Sequence, residues 1–211
     1  MRREIIIVLA VIGFVIMPMN SASHAISLDF VPATQTLQLG STVAVGIRIS
    51  GLGNLTSPSL GTFDINVSFD SARLSFVSAV FGDSILGDQL DLLGLGGNPT
   101  SSGLVGPSTL NLFELSLDSQ TNLDSLQAGA FTLATVRFAT VAQGTSPLTI
   151  AINVLGDSAG GPLAANSGSG SITIAGAIPE PSVFFLIGFG LFGMYSVIQR
   201  RRQCNSRMGL P

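Results

Sequence analysis

Most of the side chains that carry chemistry in proteins are rare or missing in this 211-residue sequence. The whole chain has no lysine and no tryptophan, and it has one histidine, one cysteine and one tyrosine. Residues 26–177 contain none of these residue types. Because such side chains supply most general acids and bases, nucleophiles and metal ligands, their absence argues against an enzyme and against a bound metal or cofactor.

Positive charge is also scarce between residues 26 and 177, where three arginines stand against ten acidic residues, a net charge of −7. A nucleic-acid-binding domain needs basic side chains to neutralise phosphates, so we predict no binding to nucleic acid. Paired carboxylates leave glycoside hydrolysis as an alternative, but no tryptophan or tyrosine is present there to stack on a sugar. Cys204 is the single cysteine. An internal disulfide is therefore impossible, and the fold has to rest on its own core.

The N-terminal end has the organisation of a secretory signal peptide. Arg2 and Arg3 precede an apolar run over residues 5–17, and small residues follow, with Ser23 and Ala25 at the positions that a signal peptidase reads. The apolar run spans only about 20 Å as a helix, less than the hydrocarbon core of a bilayer. We therefore predict a signal peptide over residues 1–25, with cleavage after Ala25.

The C-terminal end has the sequence pattern of a membrane anchor. A Pro-Glu-Pro motif (Pro179, Glu180 and Pro181) is followed by an apolar segment over residues 182–198 and by the cluster Arg200, Arg201 and Arg202. The segment reaches about 25 Å as a helix, enough for a thin membrane. Arginines favour the cytoplasmic side, so we expect residues 203–211 inside and residues 26–177 outside.

The order of these three features over residues 178–202 resembles the PEP-CTERM sorting signal. The resemblance implies that an exosortase, a membrane-embedded transpeptidase, recognises the signal and cuts at the Pro-Glu-Pro motif. It also implies an inner-membrane intermediate and delivery to the cell surface or extracellular matrix of a Gram-negative bacterium. A stiff spacer beside the membrane is the alternative reading of Pro179–Pro181, since each proline restrains the backbone.

The region between the two ends is predicted to be all-β. Apolar and polar residues alternate strictly over residues 42–49, 63–69 and 148–154, as in half-buried strands. Six further strands are predicted at residues 27–31, 36–39, 74–80, 110–117, 132–140 and 171–174. About nine strands without helices indicate an antiparallel β-sandwich of jelly-roll type.

Three irregularities stand out in this pattern. The apolar parity switches between Leu112 and Phe113 and again after Leu133, and each switch predicts a β-bulge. Residues 82–109 are weakly patterned and predict a long loop with one short irregular element. Asp83, Asp88 and Asp91 lie in this loop and leave a Ca²⁺ site open, although a solvated acidic loop explains them as well.

Residues 26–177 also resemble a cohesin domain. The segments that carry the resemblance are residues 27–30, 39–43, 61–70, 74–82, 133–138 and 144–148. Cohesins are nine-stranded jelly rolls that bind dockerin partners through one sheet face. The resemblance implies that Asp64 lies at a partner-contacting position, and Asn66 and Ser68 share its face by strand parity. A plain solvated face accounts for the same three residues.

These observations predict a non-enzymatic, exported surface or matrix protein. Its central domain is expected to bind a dockerin-like protein. The alternative is a carbohydrate-binding module that acts in the exopolysaccharide of a biofilm, although the missing aromatic residues weaken it.

Overall fold

The structure is a computed structural model that describes residues 25–176 together with Met194 and Tyr195. The predicted signal peptide before Ala25, the Pro-Glu-Pro motif, the arginine cluster and most of the predicted membrane segment lie outside the described residues. In the part of the chain that is described, no helix is both long and apolar enough to cross a membrane.

The described residues form eleven strands and one short helix. In chain order they are β1 (Ile26–Val31), β2 (Thr34–Gln38), β3 (Thr42–Ser50), β4 (Leu60–Ser68), β5 (Leu74–Phe81), β6 (Thr100–Gly106), β7 (Thr109–Leu115), α1 (Gln120–Leu126), β8 (Ala130–Thr140), β9 (Gly144–Asp157), β10 (Ala165–Ser167) and β11 (Ser169–Ala175). Residues 82–99, between β5 and β6, are called the acidic loop below.

The strands make two sheets. The five-stranded sheet has the order β10-β1-β3-β8-β5, and the six-stranded sheet has the order β2-β11-β9-β4-β7-β6. Neighbouring strands are antiparallel except at β1/β10 and β2/β11, which are parallel. The predicted β-sandwich is therefore confirmed, with eleven strands in place of about nine.

The core lies between the sheets and follows the alternation of the strands. Val43, Val45, Ile47 and Ile49 of β3 are all buried, as their shared parity predicts. The largest fully buried side chains include Phe63, Phe131 and Phe138. Burying a side chain of this size contributes about 1.5–3 kcal/mol, which explains how the domain folds without a disulfide.

The two predicted bulges have different outcomes. In β8, Ala134 pairs with Ile47 and Thr132 pairs with Arg48, so Leu133 is the extra residue and the prediction is confirmed. In β7 the prediction is wrong, because this strand runs against β4 without any register shift. The parity switch was inferred from Phe113, but the strand keeps its parity and buries Glu114 instead.

The sequence analysis missed three elements. β6 lies in the region expected to be a loop, and its small, mostly exposed residues give no alternation signal. β10 has only three residues and forms by pairing with β1. The seven-residue helix α1 is too short to show helical periodicity, and it starts where Ser119 accepts a hydrogen bond from the Asn122 N–H at 3.3 Å.

Candidate partner-binding face

The three residues predicted to contact a partner lie on the outward face of β4. Phe63, Ile65 and Val67 of this strand are buried, and Asp64, Asn66 and Ser68 are partly exposed between them. Because β4 lies between β9 and β7, these side chains sit in the interior of the six-stranded sheet rather than at its edge. Their shared outward orientation follows from strand parity, as expected.

Two asparagines from the neighbouring strands join them. The Nδ2 atom of Asn111 on β7 donates to Asp64 Oδ1 at 2.6 Å and to Asn66 Oδ1 at 3.0 Å. The Nδ2 atom of Asn153 on β9 donates to Asp64 Oδ1 at 3.0 Å. Asn66 Nδ2 approaches Asn153 Oδ1 at 3.4 Å, which closes a ring of four side chains. We call these four residues the amide network.

A β-bulge brings Asn153 into the network. Asp64 pairs with Val154 and Ile65 pairs with Ile152, so Asn153 has no partner residue on β4. The bulge turns Val154 outward as well, and this side chain is 48% exposed. The expectation that Val154 shares the buried parity of Leu148 and Ile150 is therefore wrong, because an extra residue reverses the parity after it.

Among the residues that the structure describes, Asp64 is the only charged side chain on the outward face around the network. The outward positions of β9 nearby are Thr149 and Ala151, and the hydroxyls of Thr145 and Thr173 meet at 3.1 Å further along the sheet. Ser68 shares the face but takes no part in the hydrogen bonds of the network. The arrangement offers amide donors, carbonyl acceptors and one carboxylate to a partner.

The opposite face of the same sheet holds a second acidic residue. Glu114 of β7 is fully buried, and neither of its carboxyl oxygens has a hydrogen-bond partner. Burial, and then the nearby Asp88 and Asp91, raise the pKa of Glu114 to about 8. Sequence reasoning missed this residue because a glutamate in an alternating strand is expected to face water.

The aspartates of the acidic loop hold the loop itself in place. Asp83 accepts hydrogen bonds from the N–H groups of Ile85, Leu86 and Thr132 at 2.8, 3.1 and 2.9 Å. Desolvation by burial raises the pKa of Asp83, but these three N–H groups outweigh it and lower the pKa to about 2.

Asp91 accepts from Leu95 N–H at 3.0 Å and Gly96 N–H at 2.8 Å, and Asp88 accepts from Leu90 N–H at 2.9 Å. Among the described residues no group of three or more acidic, cysteine or histidine side chains is arranged to hold a metal ion. The loop is organised by bonds between carboxylates and backbone N–H groups, and its geometry gives the Ca²⁺ alternative no support.

An open cleft of about 570 Å³ lies beside α1. It is lined by Leu55, Thr56, Ser57, Gln120, Thr121, Asp124 and Ser125. Asp124 Oδ1 accepts from the hydroxyls of Ser59 at 2.5 Å and Ser158 at 2.9 Å, and these bonds lower the pKa of Asp124. The cleft is polar, and none of its lining residues is aromatic.

Comparison with known proteins identifies the C-terminal segment. Residues 177–202 match the family described as the PEP-CTERM protein-sorting motif. The chain carries a PEP-CTERM sorting motif. No curated protein matches the chain.

Solved structures identify the architecture of the central domain. The sixth cohesin of scaffoldin B from Acetivibrio cellulolyticus, solved with a Cel5 dockerin, superposes with a TM-score of 0.54 at 22% identity, covering 72% of this chain and 98% of that chain. CaCohA2 from Clostridium acetobutylicum gives 0.56 at 17% identity, covering 74% and 95%. A non-cellulosomal cohesin from the archaeon Archaeoglobus fulgidus gives 0.51 at 16% identity, covering 72% and 90%. The described domain has the cohesin fold.

Within this cohesin-fold domain, the sequence analysis identified two of the four residues of the amide network. Asp64 and Asn66 were predicted to face a partner, whereas Asn111 and Asn153 were not assigned to the site. Asn111 lies opposite Asn66 in the β4/β7 register. The alternation of residues 110–112 placed Asn111 outward, but no local signal indicates which strand lies beside β4.

Proposed function

We propose that this chain is a non-enzymatic, exported surface protein whose cohesin-fold domain binds a protein partner through the outward face of the six-stranded sheet. The binding centre is Asp64 and Asn66, with Ser68 at its margin and Asn111 and Asn153 as the flanking members of the amide network. The observation that carries this proposal is the network itself.

The network is organised before any partner arrives. Asp64 Oδ1 already accepts from two amides, and Asn111 bridges Asp64 and Asn66, so the side chains have few rotamers left to lose on binding. Groups held in this way bind with a smaller entropy cost than free side chains. The position at the centre of a sheet also allows a partner to cover the network completely, as hot spots require.

The partner is proposed to be a dockerin-like protein. The Acetivibrio structure contains a cohesin with a dockerin, and the shared fold supports the same class of partner here. The single negative charge at Asp64 favours a partner that presents hydroxyl, amide or basic donors to this face.

The sorting motif supports the route to the surface. We propose that an exosortase recognises residues 178–202 and cuts at Pro179, Glu180 and Pro181. The segment 182–198 then stays in the inner membrane with Arg200, Arg201 and Arg202 on its cytoplasmic side. The released domain reaches the cell surface or extracellular matrix of a Gram-negative bacterium.

Partner binding is tested with Asp64→Ala and Asn66→Ala variants of the full chain. Proteins captured from the surface fraction of the same organism are identified by mass spectrometry, purified, and titrated against wild type and variants. Each variant should weaken binding at least about tenfold, or about 1.4 kcal/mol. Asp29→Ala is the control, since Asp29 is exposed on β1 of the other sheet. Unchanged affinity in the double variant would rule out this face.

Sorting is tested by Glu180→Ala, with Ser182→Ala as the control. Wild type and the control should appear on the surface as a shortened chain, and Glu180→Ala should stay in the membrane fraction. The intact mass of each product locates both cuts, after Ala25 and at the Pro-Glu-Pro motif. Release of Glu180→Ala at the wild-type rate contradicts the exosortase route.

The second candidate is binding to exopolysaccharide, and the cleft beside α1 is the observation that favours it. Gln120, Thr121 and Asp124 offer amide, hydroxyl and carboxylate groups to a sugar. A Gln120→Ala, Asp124→Ala double variant separates the candidates. Loss of polysaccharide retention in this variant, with retention intact in Asp64→Ala, would favour the carbohydrate-binding function.

A further inference from the structure

Where the acidic loop meets β7, the buried Glu114 lies near two carboxylates of the loop, Asp88 and Asp91. Glu114 is fully buried on the inward face of β7, and both of its carboxyl oxygens lack a hydrogen-bond partner. Asp88 lies beside the Glu114 side chain and raises its pKa more than Asp91 does. No basic residue occurs in β4, β6, β7 or the acidic loop.

Two ionised carboxylates in contact are both acceptors and cannot satisfy each other. A proton on one of them turns an acceptor into a donor, and the pair then makes one hydrogen bond with a single negative charge. A buried carboxylate without a donor or a cation is strongly unfavourable, because it has lost its hydration and gained no partner. If Glu114 itself carries the proton, it becomes the donor of the hydrogen bond, and the buried negative charge at Glu114 is removed.

The surrounding groups favour the proton on Glu114. Burial, together with the charges of Asp88 and Asp91, raises the pKa of Glu114 to about 8. The side chain of Asn98 acts in the opposite direction, but its Nδ2 donates to the Leu90 carbonyl oxygen at 2.8 Å. Of the strands that flank β7, β6 has no ionisable side chain, and Asp64 of β4 faces outward.

The segment around Asp88 is fastened to the residues that end and follow β7. Ser116 Oγ donates to the Leu90 carbonyl oxygen at 2.5 Å, and Leu92 N–H donates to Asp118 Oδ2 at 2.7 Å. Leu117 N–H donates to Asn98 Oδ1 at 3.1 Å. A repulsion between Asp88 and Glu114 would therefore act on a short segment, residues 88–98, rather than on the whole domain.

We propose that Glu114 is protonated at neutral pH and donates a hydrogen bond to the Asp88 carboxylate, and that this bond is a pH-sensitive fastener that holds residues 88–98 of the acidic loop against β7. Loss of the proton leaves two negative charges in contact at a buried site. The segment then opens to let water reach Glu114, while the rest of the sandwich stays folded.

The titration of Glu114 tests the first half of the proposal. The full chain has three glutamates, Glu4, Glu114 and Glu180, so ¹³C-labelled glutamate gives few carboxyl signals. The signal that disappears in Glu114→Gln belongs to Glu114, and it should titrate near pH 8. In Asp88→Asn it should titrate at lower pH, because the neighbouring charge is gone. Titration of Glu114 at its ordinary value near 4 to 5 would overturn the proposal.

Hydrogen exchange tests the second half. After correction for the intrinsic rate, exchange at Leu92, Leu95 and Leu117 should rise at least about tenfold between pH 6 and pH 9 in wild type, as expected for a repulsion of about one pKa unit or more. In Glu114→Gln it should stay flat, because a neutral amide donates to Asp88 at every pH. Ile150, buried in β9, is the internal control and should not respond.

Asp29→Asn is the matched control variant, since it removes a carboxylate from the other sheet and should behave as wild type. Equal pH responses of wild type and Glu114→Gln would refute the fastener. So would a Ca²⁺ dependence, in which CaCl₂ at neutral pH ionises Glu114 and protects the segment and EDTA reverses both effects. In that case the pair would hold a cation and not a proton.

Discussion

Asp64 and Glu114 are both acidic residues of the six-stranded sheet. They lie on the neighbouring strands β4 and β7, and their positions differ by one residue in the register of this pair. Asp64 pairs with Phe113, and Phe63 pairs with Glu114, so the two acids point to opposite faces. Asp64 is partly exposed and accepts hydrogen bonds from two asparagine amides, whereas Glu114 is buried and accepts none. The same functional group is partly solvated and hydrogen-bonded on one face, and it is buried without a donor on the other.

The difference follows from solvation and from the available donors. An exposed carboxylate keeps its hydration, so the bonds from Asn111 and Asn153 orient it at little cost. A buried carboxylate loses its hydration, and hydrogen-bond donors, a cation or a proton have to replace the lost stabilisation. We therefore expect changes on the inward face to alter stability and changes on the outward face to alter binding.

The largest effect is expected from truncating an inward residue beside Asp64. Phe63 is fully buried, and its ring centroid lies 6.3 Å from that of Phe81. Phe63→Ala should lower the free energy of unfolding by about 3–5 kcal/mol, because it leaves a cavity between the sheets. Chemical denaturation followed by circular dichroism measures the loss. A cost below about 1 kcal/mol would mean that β4 does not pack as described.

A pH-dependent loss of stability is expected from Glu114. Since its folded pKa of about 8 lies above the ordinary glutamate value of 4.5, its contribution is complete below about pH 4.5 and is lost as the pH rises towards 8. The slope is at most about 1.4 kcal/mol per pH unit, and opening of the acidic loop reduces it. Denaturation between pH 4.5 and 9 should show this slope in wild type, and a Glu114→Gln variant should lack it.

Asp83 should respond to pH in the opposite direction. Its folded pKa of about 2 lies below the ordinary aspartate value of 3.8, so its contribution is present above pH 3.8 and disappears as the pH falls through 2. Asp83→Asn should cost about 1–2 kcal/mol at neutral pH, because an amide cannot accept on both atoms. Acid denaturation should then reveal a smaller further loss in the variant. An acid response equal to that of wild type would contradict the assigned hydrogen bonds.

The smallest effect on stability is expected at Asp64 itself. Asp64→Ala should change the free energy of unfolding by no more than about 0.5–1 kcal/mol, because the freed amides of Asn111 and Asn153 can bond to water. Thermal unfolding of the same samples used for the partner titration measures it. If Asp64→Ala destabilised the domain as much as Phe63→Ala, the contrast between the two faces would fail.

Local sequence patterns predicted most strands but not the irregular positions. Residues 42–49 and 63–69 alternate without interruption, and their burial follows that pattern. The β-bulge at Leu133 was visible as a parity switch because two apolar residues stand side by side there. At Glu114 and Val154 the same reasoning was wrong. Polarity indicates only a preference for water, and neighbouring strands decide which face each residue receives.

The candidate face shows the same division. Asp64, Asn66 and Ser68 were assigned to one outward face from parity alone. Asn111 and Asn153 became members of the network only through pairing with strands that are 45 to 89 residues away along the chain. Register between distant strands depends on the whole set of packed faces, which no local window contains.

By itself, the sequence determined the strands with strict alternation, the outward position of Asp64 and Asn66, and the sorting motif at residues 177–202. These are local properties, because each depends only on residues that are close together in the sequence. The tertiary structure alone decided the bulge at Asn153, the closure of the amide network, and the burial of Glu114 against Asp88. Each of these requires two segments that are distant in the sequence to meet, so the contact contributes to stability only once the sandwich has formed.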